Sequence, residues 1–376
     1  MAQLKDKVDV EDFVRGCAFM GTGGGGDPKE GIKWLTSALE KGKTIEWVDP
    51  SEVPADANIA SVSGVGSIAP ETEEMLEKKR ELGLTERTVD NVYVKALEEL
   101  EEYTGEKVDY LVPTELGGSN TPAPLVTAAL VGIKVVDGDY AGRAIPELTQ
   151  ITPALNKCPT TPRTNVDEYG NVRIIKSCSS LPMAERVGKM LSVTSFGLSG
   201  EAKFMMDTGT MKGLVVPNTL SKCLAIGSAI RTAREEGRDP VQAAAEEAGG
   251  WVVFEGEVVE KDDRDEEGYY WGTNTIKGWD TFEGEEMKIW FKNENHIAWK
   301  NDTPYITSPD LITVLDAESG EPITNTDLDV GRAVSVIGVK ATDERYREEK
   351  ALDALGPSHF GFDIDYVPIE ERIDTS

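Results

Sequence analysis

Histidine is nearly absent from this chain, with 2 in 376 residues, His296 and His359. A three-histidine metal site is therefore excluded, and any metal would need mainly carboxylate ligands. Cysteine is also sparse: Cys17, Cys158, Cys178 and Cys223 contain no Cys-x-x-Cys pair, which argues against a zinc knuckle. Positive charge is short, with Lys plus Arg at 39 against Asp plus Glu at 68, a formal net charge of −29. That balance opposes binding to nucleic acid, where affinity comes largely from Lys and Arg neutralising phosphates. It equally opposes docking on anionic membranes. No unbroken apolar run is long enough to span a bilayer, and the polar start Met1-Ala2-Gln3-Leu4-Lys5-Asp6-Lys7 lacks the apolar stretch of a secretory signal. The expectation is a cytoplasmic protein without disulfides. Its dispersed acidity favours solubility and would suit a salty cytoplasm.

Glycine is abundant, and one run of it stands out: Gly21-Thr22-Gly23-Gly24-Gly25-Gly26-Asp27-Pro28. Consecutive glycines lose much backbone freedom on folding, so a run before a helix implies that bare backbone comes close to something. Asp27 fits as N-cap, Pro28 as first helical residue and Gly42 as the stop. The loop amides would lie at the positive end of that helix, where anions and carbonyl oxygens bind. A tight turn with no ligand would use the same residues. Neither Lys-Ser nor Lys-Thr follows, so this is not a P-loop. The dinucleotide spacing is matched only trivially, and no acidic ribose ligand follows at the required distance.

Apolar strand patterns at 45–48, 59–65, 109–113 and 133–136 alternate with helical patterns at 71–82, 92–103 and 124–130, which predicts an α/β layered unit. A hairpin is expected over 165–175, helices over 183–190 and 218–234, and short strands after Ala248. The division is placed near residue 160. An α/β domain over 1–160 carries the ligand loops, and 161–376 is mixed at first and then β-rich, as a barrel or sandwich.

Three more segments put polar groups after apolar strands, where ligands of α/β sheets gather. Glu115-Leu116-Gly117-Gly118-Ser119-Asn120 offers close backbone approach with Glu115 and Asn120 as hydrogen-bonding groups. Asp137-Gly138-Asp139 sets two carboxylates side by side, suited to a general base with a raised pKa, to a cation pair, or to simple capping. Arg143 and Glu147, four apart, could share a helical face or a salt bridge. Asn293-Glu294-Asn295-His296, flanked by Trp290, Phe291 and Trp299, could read the edge of a planar polar ring or form a turn that uses Asn in left-handed geometry.

Taken together in order, these segments resemble the S-methyl thiohydantoin desulfurase family. So do Pro309-Asp310-Leu311-Ile312-Thr313-Val314-Leu315-Asp316 and Gly356-Pro357 with Phe360-Gly361-Phe362-Asp363. His296 is a departure, since an apolar residue is expected there. The resemblance implies an α/β N-terminal three-layer domain plus a β-rich, barrel-like C-terminal domain. It also implies hydrolysis of an S-methylated thiohydantoin to a hydantoin with release of methanethiol. On that reading Asp137 or Asp139 activates water, with Glu115 a further catalytic candidate. The amides of Thr22, Gly23, Gly24 and Gly25 stabilise developing negative charge. Glu115, Asn120, Arg143 and Asn295 hold the ring edge, with Glu147 and Asn293 as further substrate-binding candidates. No cofactor is required, although a divalent metal on Asp137, Asp139 or His296 is an open alternative. The expected partner is a small cyclic amide, with a homo-oligomer as the assembly. The rival reading is a non-catalytic subunit of a hydantoinase/oxoprolinase-type enzyme.

Overall fold

A computed structural model describes residues 2–66, 72–196, 199–266 and 268–373. Residues 67–71, into which the apolar 59–65 stretch runs, lie outside the described residues. The strands in the first half are β1 (Ala2–Leu4), β2 (Ile45–Val48), β3 (Asn58–Val65), β4 (Tyr110–Leu111), β5 (Lys134–Val136), β6 (Gly138–Asp139), β7 (Arg163–Asp167), β8 (Val172–Ile175), β9 (Ser199–Asp207) and β10 (Val216–Pro217). Eight of them form one sheet in the order β1-β2-β5-β4-β3-β9-β7-β8, while β6 and β10 pair separately. β2, β5, β4 and β3 run parallel, and β9 joins β3 antiparallel.

Parallel strands buried on both faces read as continuous apolar runs, and the pleat divides those runs between two cores. Ala60, Val62, Leu111 and Val135 enter one apolar cluster, whereas Ile59, Val112 and Val136 enter the other. The first cluster is covered by the helices Lys7–Met20, Pro28–Glu40, Pro122–Val131 and Thr219–Glu235. The second is covered by Thr208–Leu214, Glu349–Leu355 and the irregular chain around Tyr140 and Ile145. Asp27 caps its helix as expected, accepting from the Lys29 amide at 2.8 Å with Pro28 in the first turn.

The expected division near residue 160 does not coincide with a break in the sheet. β7 and β8 form the anticipated hairpin, but they join the N-terminal sheet through β9. The sequence reading passed over β9 because Glu201 and Lys203 interrupt its apolar residues. The second body begins at β11 (Gly250–Glu266) and continues through β12 (Tyr269–Gly278), β13 (Glu286–Lys292), β14 (Glu294–Lys300), β15 (Thr303–Thr307), β16 (Leu311–Asp316) and β17 (Ala333–Val339). These strands form an antiparallel sheet, β15-β14-β13-β12-β11-β17-β16, bent into a half-barrel. Its own core centres on Phe254, Ile289, Ile312 and Val336. Among the described residues no helix is long and apolar enough to cross a membrane.

Candidate active site

The glycine loop, the segment after β4 and the start of β14 meet at one place. Asn293 adopts a left-handed φ of 60°, which turns the chain between β13 and β14 in a single residue. Lys292 and Glu294 thereby become cross-strand partners on one face. The Glu294 carboxyl lies directly on Gly24, where an added Cβ would sit 2.2 Å from Oε1. At Gly25, φ is +78° and a Cβ would fall 2.4 Å from the Gly117 Cα. Side chains at these positions would force the three segments apart. The Gly25 amide faces the Glu294 carboxyl and favours its ionised form, against a stronger effect of burial.

Glu115 lies within electrostatic reach of Glu294. Its Oε1 accepts from Asn120 Nδ2 at 2.6 Å, and its Oε2 accepts from the Ile145 amide at 2.7 Å. Burial of the carboxyl pushes its pKa up to about 7, against these hydrogen bonds and the Lys203 charge. Part of the residue's surface remains open. Glu294 is 3% exposed. Burial, then the neighbouring Glu115 charge, lifts its carboxyl well above the usual range, opposed by Arg143 and by the Gly25 amide. Among the described residues its Oε2 has no hydrogen-bond partner. Two interacting carboxyls titrate as a pair. Burial favours the protonated form of both carboxyls, Glu294 well above the usual range and Glu115 up to about 7.

The other expected residues divide clearly. Asn120 orients Glu115. Arg143 and Glu147 do not share a helix, because 141–147 is irregular. Arg143 is buried and bonds only to protein: Thr22 Oγ1 at 3.1 Å, and the carbonyls of Asn295 at 2.8 Å, Asp310 at 3.0 Å and Ala144 at 3.0 Å, among others. Its pKa falls to about 10 through burial, so it stays charged and ties the loops together. Asn295 does the same work. Its amide donates to the Thr22 carbonyl at 2.8 Å and its Nδ2 to the Ile312 carbonyl at 2.9 Å. Asn325, which the sequence did not reveal, donates its amide to the Gly23 carbonyl at 2.7 Å and its Nδ2 to Asn293 O and Asn295 Oδ1. Glu147 pairs with Lys292 and, at 3.3 Å, with His359.

Both members of the acidic pair are engaged by backbone amides. Asp137 accepts from the amides of Leu220 at 3.1 Å and Ser221 at 3.0 Å, and from the Ser221 hydroxyl. It therefore caps the helix Thr219–Glu235, whose exposed first amides attract a carboxylate. Asp139 Oδ2 is held by the amides of Ala141 at 2.8 Å and Gly142 at 2.7 Å. Fully buried, it is pushed to about 7, and it acts on Glu115 only as a nearby charge. His296 is buried against Phe360, with ring centroids 4.1 Å apart, and burial pulls its pKa well below the ordinary value. It fills an aromatic core position, which explains why an apolar residue was expected. Among the described residues no group of three or more His, Cys, Asp or Glu side chains could hold a metal ion, so these three candidates do not form a ligand set.

Glu294, the carboxyl that meets the glycine loop, lies between two asparagines in the sequence. The available signal was alternation: counting back by twos from His296 gives Glu294, and Lys292 lies across the turn on the same face. Tyr269 and Trp271 extend that face, with Lys292 Nζ 4.1 Å and 4.8 Å from their ring centroids.

Fold and site thus define a two-body protein, an α/β layer and an antiparallel half-barrel, with two carboxyls of raised pKa where the glycine loop meets the half-barrel. The chain belongs to the S-Me-THD-like family, the S-methyl thiohydantoin desulfurase family: the N-terminal domain description matches residues 8–177 and the C-terminal one residues 179–369. A crystal structure of a protein from Chromobacterium violaceum is similar over 98% of this chain and 100% of that one, at 22% identity with a TM-score of 0.78. That likeness concerns the fold. No curated protein matches the chain.

Proposed function

We propose that this protein is a hydrolase of five-membered cyclic amides or imides, and that it converts an S-methyl thiohydantoin to a hydantoin with release of methanethiol. The observation that supports it is the Glu115–Glu294 pair, in which burial raises both carboxyls, Glu294 well above the usual range and Glu115 to about 7. The family membership agrees with a thiohydantoin-related substrate.

The reaction replaces sulfur by oxygen at a ring carbon that also bears a C=N bond. Protonated Glu294 gives its proton to the ring nitrogen, which makes that carbon electrophilic. Ionised Glu115 takes a proton from water as the C–O bond forms. On collapse the C–S bond breaks, the new hydroxyl returns its proton to Glu294, and the thiolate leaves with the proton held by Glu115. Asn120 and the Ile145 amide aim Glu115, and the Gly25 amide aims Glu294. Arg143 supplies positive charge from below, without a direct bond to either carboxyl.

Incubating the purified chain alone with hydantoins, thiohydantoins and their S-methyl forms, and measuring free thiol, tests this reading. Turnover of the S-methyl forms supports it. Absence of turnover until a second protein is added would favour a non-catalytic subunit.

A further inference from the structure

A second reactive arrangement lies one strand away from the carboxyl pair, and the mechanism above does not use it. β3 carries Ser61 and Ser63, which alternate onto the face opposite Ala60 and Val62. Ser61 is fully buried and gives its hydroxyl to the Val112 carbonyl at 2.7 Å. Ser63, two residues nearer the carboxyl end of the strand, is only half-buried, and Lys203 Nζ donates to its Oγ at 2.8 Å. β3 and β4 run parallel with Ala60 beside Leu111. Glu115 lies four residues after Leu111, on the chain that leaves the carboxyl end of β4. The Lys203 charge accordingly reaches Glu115.

The surroundings of Lys203 set its protonation. It is 1% exposed, and its Nζ lies 3.3 Å from Glu201 Oε2. That carboxylate is shared: Arg163 Nη2 approaches Glu201 Oε1 at 3.6 Å, and Arg163 and Glu201 are also buried. Two cations therefore compete for one anion out of contact with water. The guanidinium holds its proton far more tightly, so the amine is the member whose charged form the burial disfavours. Burial, reinforced by the Arg163 charge, lowers the Lys203 pKa, opposed by Glu201 and Glu185. A buried ion network by itself would account for Arg163 and Glu201. It does not account for a buried lysine whose other hydrogen-bond partner is a half-open serine hydroxyl near a strand end. That combination activates serine in Ser–Lys hydrolases.

We propose that Ser63 is a nucleophile and Lys203 its base, so that the ring carbon is attacked by a serine oxygen before water reaches it. The proposal rests on the substrate class given under the proposed function. Ser63 Oγ forms a bond to the carbon bearing sulfur while its proton passes to the Lys203 amine. The C–S bond breaks, and the thiolate leaves with that proton. The enzyme then carries an isourea ester on Ser63. Water, losing one proton to Glu115, adds to the same carbon. The Ser63–carbon bond breaks, and that proton is returned to the serine oxygen, which frees the hydantoin.

Two measurements on the full chain separate this proposal from the substrate reading. The first treats the wild type, Ser63→Ala and Lys203→Met with a fluorophosphonate, a serine-directed reagent that needs no knowledge of the substrate. The dyad predicts modification at Ser63, faster with rising pH, and slowed about a hundredfold in Lys203→Met. The second mixes S-methyl-2-thiohydantoin with the wild type and with Ser63→Ala, quenches early, and reads thiol release together with protein mass. The expected result is a burst of one thiol per site, and a mass gain on Ser63 equal to substrate less methanethiol. In Ser63→Ala, whose fold is checked by its melting curve, burst and adduct vanish and turnover falls about a hundredfold. Failure of the reagent to modify Ser63 in the wild type overturns the dyad. So does wild-type thiol release by Ser63→Ala, which leaves the carboxyl-pair reading intact. Modification of Ser63 without any thiol release supports the dyad and refutes the substrate.

Discussion

Replacing Glu115 by glutamine changes how stability depends on pH, and the size of the change follows from the site. The unfolded-chain value is near 4.5 and the folded one about 7. A raised carboxyl means that the folded protein holds more protons than the unfolded chain between those values. Stability from this group is therefore fully present below about pH 4.5 and declines as pH rises through about 7. This is the opposite sign to a carboxylate held by a salt bridge. The loss is about 1.4 kcal/mol per unit, or about 3 kcal/mol in all. The part of Glu115 that faces solvent trims it toward about 2 kcal/mol. Glutamine keeps the shape and can still accept from Asn120, but it does not titrate. Its second arm turns an NH₂ toward the Ile145 amide, a cost of about 1–3 kcal/mol that is the same at every pH. Urea unfolding at pH 5 and pH 8 isolates the titrating part. The wild type should lose about 2–3 kcal/mol relative to the variant between the two. Parallel pH dependences would refute the burial argument for the pair.

Other expectations concern single contacts. Asp137→Asn should lower stability by about 1 kcal/mol in thermal melts, through a weakened helix cap, and leave thiol release unchanged. Glu147, held by His359 and Lys292, has its pKa depressed to about 2. The stability it contributes is thus present above about pH 4.5 and lost as pH falls toward 2, and Glu147→Gln should flatten acid unfolding over that window by about 3 kcal/mol. Gly24→Ala has an ordinary φ but meets Glu294 Oε1 at 2.2 Å. It should reduce thiol release at least tenfold and also lower the melting temperature, because the buried carboxyl must be displaced and the acid–base geometry with it.

The sequence revealed the frame better than the chemistry. Apolar runs of the right length marked β2, β3 and β5, and Asp27-Pro28 marked a helix start, because each rests on local patterning and capping. β9 stayed hidden, since a strand that buries Glu201 and Lys203 breaks alternation at the positions that matter most. The glycine loop was identified as a place of close approach, but the group approaching it is Glu294, brought from 270 residues away by a turn that only Asn293 reveals. Asp137 and Asp139 looked like a catalytic pair because spacing cannot show which carboxylate a distant helix N-terminus will claim. Arg143 looked like a substrate ligand because its partners, Thr22 and the carbonyls of Asn295 and Asp310, converge only in three dimensions.

Thiol release from S-methyl-2-thiohydantoin by the wild type, Glu115→Gln and Glu294→Gln tests the central claim most directly. The account predicts steady release by the wild type and a loss of about a hundredfold or more in each variant, with folding retained. Release by both variants at the wild-type rate would contradict it.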